Sequence, residues 1–182
     1  MIKISVGDNL SSFATFRQMP HSEKVFPEGY ADWNIVEIWS GRTKIFAGYG
    51  DDESPDQALQ HLRYVNYVGA PKITTFQDTF QGCNSLLTVL GMPTNIRSFG
   101  DSFRYCSSLV AVAEFNSGSA NSSRAFQGCA ALEALDWKIS AVSANMEYAL
   151  DGCTNLQKLT LSFTADSRMV TALKYTFRNC LR

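Results

Sequence analysis

Five cysteines and two histidines are the residues of this chain with the widest reach into nucleophilic, redox and metal chemistry. The cysteines fall at Cys83, Cys106, Cys129, Cys153 and Cys180, at intervals of 23, 23, 24 and 27 residues. A structural zinc site needs ligands that converge on one point, usually delivered as closely spaced Cys or His pairs. No C-x-x-C occurs, and His21 and His61 lie outside the cysteine series, so the spacing argues against a metal. Disulfides are the other chemistry open to cysteines in number. Five equivalent positions leave an odd thiol, and pairing them would break the regularity of the series.

Other chemical candidates are weaker. In "FAGYGDDESP", Gly48 and Gly50 follow a predicted strand, but Asp51, Asp52 and Glu53 stand where a phosphate would need donors. The same acids with Asp56 could hold calcium only weakly, since their spacing is not that of an EF-hand. No G-x-S-x-G occurs, and His61 in "QALQHLRY" reads as a helix-surface residue. Asn9 and Asn121 head glycosylation-like triplets that chance supplies easily. The reading is a non-enzymatic protein with no catalytic residue, cofactor or metal assigned. The alternative is a small enzyme or intracellular regulator using the N-terminal region, which holds both histidines and most of the clustered acid.

The neighbours of the cysteines say what they are for. Phe80, Phe103, Phe126, Leu150 and Phe177 each stand three residues before a cysteine. Leu86, Leu109, Leu132 and Leu156 stand three after the first four, followed three further on by Val89, Val112, Leu135 and Leu159. Types recurring in register at a near-constant period are the signature of a solenoid, each unit burying its apolar stripe against the next. A three-residue step fits a 3₁₀ or α turn, so each unit is expected to be a short helix leading into a strand. The cysteines then form a ladder of compact buried groups that rarely need a polar partner.

The pattern fades upstream. Leu59 falls 24 residues before Cys83, Leu62 and Val65 take the next apolar positions, and Ser54-Pro55 is a good helix start. Two irregularities interrupt the array. "NSGSANSS" (116–123) puts serines where earlier units carry Ile96 and Phe99, which predicts a looser turn. The longest interval adds residues near "LSFTADSRM" (161–169), a candidate contact loop using Phe163 and Arg168.

Residues 1–53 differ in character. "IKISV" reads as a strand, and "WNIVEIW" with "TKIFAGYG" as a β-hairpin. Phe13, Phe16, Phe26, Trp33 and Trp39 would let this segment pack on the first coil as a cap. The expected organisation is a β-rich cap or docking region over 1–53 and a solenoid over 54–182.

Composition bounds the partners. With 182 residues, 45% of them hydrophobic, the chain can bury a sizeable core. A net charge of −1 without a basic block argues against nucleic acid. No apolar run is long enough to span a bilayer, and "MIKISVGDNL" lacks the apolar core of a signal peptide. Protein partners or self-association remain. Beside the core positions, Leu87, Leu90 and Val110 make the outer strand face of the first two units apolar, whereas Glu133, Asp136 and Lys158 make it polar later. Either the N-terminal cap or a partner would cover such a patch, and the aromatic surplus of the cap favours the cap. The chain stops after "FRNCLR", so the last coil reads as open to completion by a partner or second copy.

The unit "F-x-G-C-x-x-L-x-x-V", with its Gly/Pro turn and "I-x-x-F", resembles the BspA-type leucine-rich repeat, clearly over 73–182 and weakly over 54–72. The resemblance implies an α+β leucine-rich-repeat solenoid of about five to six short helix-strand coils. It also implies a binding or adhesion module of the kind found in bacterial and protist surface proteins and in viral structural proteins. A virion or cell-surface location follows from the resemblance alone, and a cytoplasmic one stays open.

Overall fold

One strand position recurs as an inward side chain from unit to unit, and it sets the register of the array. In the computed structural model, which describes residues 2–5, 35–39, 63–68, 76–92, 96–113, 115–140, 143–164 and 169–180, Val65 pairs with Val89, Val89 with Val112, and Leu135 with Leu159. The strands are β1 (Ile2–Ser5), β2 (Ile35–Trp39), β3 (Tyr64–Val68), β4 (Thr88–Leu90), β5 (Ala111–Val112), β6 (Phe115–Ser117), β7 (Ala134–Ile139), β8 (Ser143–Asn145), β9 (Lys158–Phe163) and β10 (Met169–Ala172). The first sheet runs β1-β2-β3-β4-β5-β7, all parallel. Strand β7 pairs with β5 and β6 of the preceding coil and with β9 of the next. Strands β8 and β10 form a second parallel pair. Parallel neighbours one coil apart, repeated in register, define a right-through stack in which each turn of chain covers the one before it.

The expected helix-strand coils are corrected by this structure, which is a β-solenoid: among the described residues there is no helix. The arc preceding each cysteine is a run of tight turns. In the first such arc the N–H groups of Thr79, Gln81, Cys83 and Leu86 each donate to the carbonyl three residues back, at Phe76, Asp78, Phe80 and Cys83. Those bonds account for the three-residue step that resembled a helix. The N–H groups between them leave the coil, those of Phe76, Asp78, Phe80 and Gly82 donating to Ser98, Gly100, Ser102 and Arg104 at 2.8 to 3.1 Å.

Backbone conformation enforces this alternation. Five residues before each cysteine stand Asp78, Asp101, Arg124, Tyr148 and Tyr175, and one residue before stand Gly82, Tyr105, Gly128, Gly152 and Asn179; all have positive φ. A positive φ at the third residue of a four-residue turn is what a type II turn requires, and it breaks the helical run. For a residue other than glycine it costs roughly 1–2 kcal/mol, offset here by the inter-coil bonds that the turned peptides make.

The core is a column of stacked layers. Phe80, Phe103 and Phe126 stack ring on ring at 5.2 Å, with interplanar angles of 19° and 5°. Cys83, Cys106, Cys129, Cys153, Leu86, Leu109, Leu132 and Leu150 are fully buried, and Leu156 is half-buried. Each fully buried Phe or Leu contributes about 1.5–3 kcal/mol of hydrophobic stabilisation. Where the third coil has Ser122 in place of Phe76 or Phe99, the volume is filled from the strand side by Phe115 and Trp137, whose rings lie 5.0 and 5.7 Å from Phe99. The serine turn is therefore not loose. Ser117, Ser119 and Ser122 are buried, and the Ser119 hydroxyl accepts from the Phe99 and Asn121 N–H groups.

In the N-terminal region, "IKIS" forms β1 and "IVEIW" forms β2, with Ile2 in register with Val36 and Val36 with Val65. Strand β2 thus runs parallel to both neighbours and extends the same sheet. The expected hairpin partner "TKIFAGYG", Ser54-Pro55, the histidines and the aromatics Phe13, Phe16, Phe26 and Trp33 lie outside the described residues.

Candidate binding surface

Stacking turns each sequence position into a column on the surface. Val110 N–H donates to the Leu87 carbonyl at 3.0 Å, so these two positions sit one above the other in adjacent coils. Their column continues through Glu133 and Gln157, whose N–H groups donate to Val110 and Glu133. Val110 is 39% exposed, Leu90 48% and Leu87 half-buried, and Tyr64, in register with Thr88, adds a ring 41% exposed at the upstream edge. Three of the five expected contact residues therefore share one apolar strand face. Phe163, on β9 and in register with Ile139, is 47% exposed but belongs to the far end of the sheet. Arg168 lies outside the described residues.

The turn arc carries a second set of groups that the motif reading passed over. Tyr148 and Tyr175 stand in one column with ring centroids 5.1 Å apart, and the Arg178 guanidinium lies 5.4 and 5.0 Å from the two rings. Arg178 also grips Asp151 with two bonds, Nε at 2.9 Å and Nη2 at 2.7 Å, while Gln127 Nε2 donates to the same carboxylate at 3.0 Å. The Arg178 bonds hold the Asp151 carboxyl below its ordinary range despite its burial. Three successive coils are thereby tied together at the surface. Asp101 has the opposite balance: burial pushes it up, its neighbour Asp78 adds to that, and Arg104 at 3.4 Å only partly opposes. Reading columns down the repeat, five and two residues before each cysteine, would have found this cluster.

The cysteine column has a polar function as well as an apolar one. The thiols of Cys106, Cys129, Cys153 and Cys180 donate to the carbonyls of Phe80, Phe103, Phe126 and Leu150, one coil back, at 2.9 to 3.2 Å. All five cysteines are free and buried. Burial pushes the Cys106 and Cys129 thiols well up and that of Cys153 to about 12. A neutral thiol fixed on a carbonyl is neither a nucleophile nor a metal ligand.

Residues 73–182 match the BspA-type leucine-rich repeat region, in six copies, and the chain belongs to that family. No curated protein and no solved structure matches the chain. The family is one of protein-interaction and surface repeat modules, generally without enzymatic activity. Among the described residues, no helix is long and apolar enough to cross a membrane.

Proposed function

We propose that the chain is a non-enzymatic protein-binding and assembly module, a structural or attachment component of a virion or bacterial surface. Its partner docks on the strand face of Tyr64, Leu87, Leu90 and Val110. The observation that carries this reading is that Tyr64, Leu90 and Val110, on three adjacent coils, stay 39 to 48% exposed, and large exposed hydrophobics gathered on one part of a folded protein mark contacts. The face grades into Glu133 and the exposed Lys158 downstream, giving the apolar centre and polar rim of a docking site.

The test compares Val110→Asp with the wild type in thermal melting and in native mass measurements with proteins encoded beside it. A stable variant that no longer forms the mixed complex supports the reading. Loss of folding instead assigns the face to the N-terminal segment, and unchanged folding with unchanged association removes the face from consideration.

A further inference from the structure

The strand face is uneven, and its unevenness is ordered. The column that holds Leu87 and Val110 reads Arg63, Leu87, Val110, Glu133, each N–H after the first donating to the carbonyl of the residue before it at 2.8 to 3.1 Å. A cation stands at the upstream end of this column, an anion at the downstream end and two aliphatic side chains between. Arg63 and Glu133 are both exposed, and neither makes an ion pair among the described residues. They lie three strand spacings apart, roughly 14 Å, too far to pair with each other in one chain.

Side-chain size divides along the same line. Tyr64, Thr88, Ala111 and Ala134 follow one another in register, and Leu90 and Ala113 share the position seven past their cysteines. The upstream half therefore raises Tyr64 and Leu90, 41 and 48% exposed, above the sheet. The downstream half offers only Ala111, Ala113 and Ala134 at the same positions. One half is raised with a cationic edge, the other low with an acidic edge.

Such a face complements itself. Let two copies face each other about a two-fold axis that runs along the strand direction, midway between the Leu87 and Val110 coils. Each column then stays opposite itself while the order of coils reverses. Arg63 faces Glu133 of the second copy, Leu87 faces Val110, Tyr64 faces Ala134 and Leu90 faces Ala113. Every contact is opposite in charge, apolar on apolar or large on small, and each occurs twice. At the ~10 Å separation of facing sheets, an arginine and a glutamate side chain together span the gap. The other two-fold axis in that plane, along the stack, sets each coil on its own equivalent and brings acid onto acid at Glu133 and Asp136.

We infer that the occupant of the strand face is a second copy of the chain, docked about the first axis as a closed, isologous dimer. This rests on the reading above that the face is a contact, and it names what covers it. The area is that of four short strands, so the dimer is weak and reversible.

Sedimentation of the full chain at low salt tests this. The wild type should pass from monomer to dimer, and no further, as concentration rises through the micromolar range. Val110→Asp should abolish the dimer. Arg63→Glu and Glu133→Arg, both at exposed positions, should keep the wild-type melting temperature while each weakens the dimer roughly five- to thirtyfold, because like charges then face each other twice. Mixed in equal amounts, these two charge variants should dimerise as the wild type does, since each then meets the opposite charge. A wild type that stays monomeric at millimolar concentration overturns the inference, as do assemblies larger than a dimer or a mixture no tighter than its components. The two readings fail separately. If the wild type alone stays monomeric while Val110→Asp abolishes a mixed complex, the face is a contact and its occupant is another protein; if Val110→Asp changes neither folding nor any association, both readings fall.

Discussion

The Cys106 thiol donates to the Phe80 carbonyl at 2.9 Å, and that carbonyl also accepts the Cys83 N–H at 3.0 Å. One carbonyl thus uses one lone pair within its own coil and the other toward the next. Cysteine suits the position because it is compact enough for the column, apolar enough for the core and still able to donate. Serine would place its oxygen nearer its own Cβ and stretch the bond, and alanine would leave it unmade.

Replacing Cys106 by Ala or by Ser should each cost about 1–3 kcal/mol, through lost core contacts and a lost or lengthened hydrogen bond. Equilibrium unfolding in urea measures this. In the native protein, thiol alkylation at neutral pH should leave Cys83, Cys106, Cys129 and Cys153 unmodified, because all four are fully buried and burial also disfavours the thiolate of the last three. In denaturant all five should react. An intact mass lighter by two hydrogen atoms before reduction would reveal a disulfide and end the ladder reading.

Gly128 and Tyr105 are locked together across coils. A Cβ on Gly128 would lie 2.6 Å from Tyr105 Cδ1, and its φ is +75. Gly128→Ala should therefore destabilise by about 2–4 kcal/mol, the αL strain added to a clash with the Tyr105 ring. In a double-mutant cycle, Tyr105→Ala should recover the clash component and leave the αL component. Additive effects of the two changes would show that the ring and the glycine are independent.

The repeat, its length and most of its buried residues were legible in the sequence because the apolar positions of Phe80, Cys83, Leu86 and Val89 recur in register through the first four coils. The turn arc was misread as helix for a physical reason. Helices and successive tight turns both bring every third residue to one side, and only the sign of φ separates them. Asp78, Asp101, Arg124, Tyr148 and Tyr175 share no side-chain chemistry that announces a positive φ. Gly82, Gly128 and Gly152 did announce it, but Tyr105 and Asn179 masked the column. The exposed Leu90 and Val110 were visible as a change of residue type along two repeat positions, seven and four residues past the cysteine. The Asp151–Arg178 clamp, two residues before Cys153 and Cys180, was passed over because that position carries unlike residue types, Gln81, Arg104, Gln127, Asp151 and Arg178, and so does not stand out as a repeated column.

Two carboxylates should respond to pH in opposite senses. Asp151 is held low by Arg178, so it contributes stability above about 3.9 that is lost as pH falls through its lower folded value. Asp101 is held high, so its ionisation opposes folding once pH rises above about 3.9. Asp151→Asn should lower the melting temperature at neutral pH and flatten the acid limb of the stability curve. Asp101→Asn should be neutral or slightly stabilising at neutral pH, by up to about 1 kcal/mol, since Asn also tolerates positive φ. Equal melting temperatures for the two variants across the acid range would contradict this assignment.

Ser119 is the single side chain on which the third turn depends. Its hydroxyl accepts from Phe99 N–H at 3.2 Å and from Asn121 N–H at 3.1 Å, and it donates to the Asn121 carbonyl. In the first coil the equivalent Phe76 N–H reaches a backbone carbonyl, at Ser98; here a side chain substitutes for it. Ser119→Ala leaves the Phe99 N–H buried and unpaired among Phe115, Phe126 and Trp137, at a cost of about 2–3 kcal/mol. Ser98→Ala, which removes only an exposed bond to Gln77, should change stability by less than about 0.5 kcal/mol. Urea unfolding of both variants decides the matter. If Ser119→Ala is as mild as Ser98→Ala, the serine run is a tolerated loop after all and the Phe99 N–H finds its partner elsewhere.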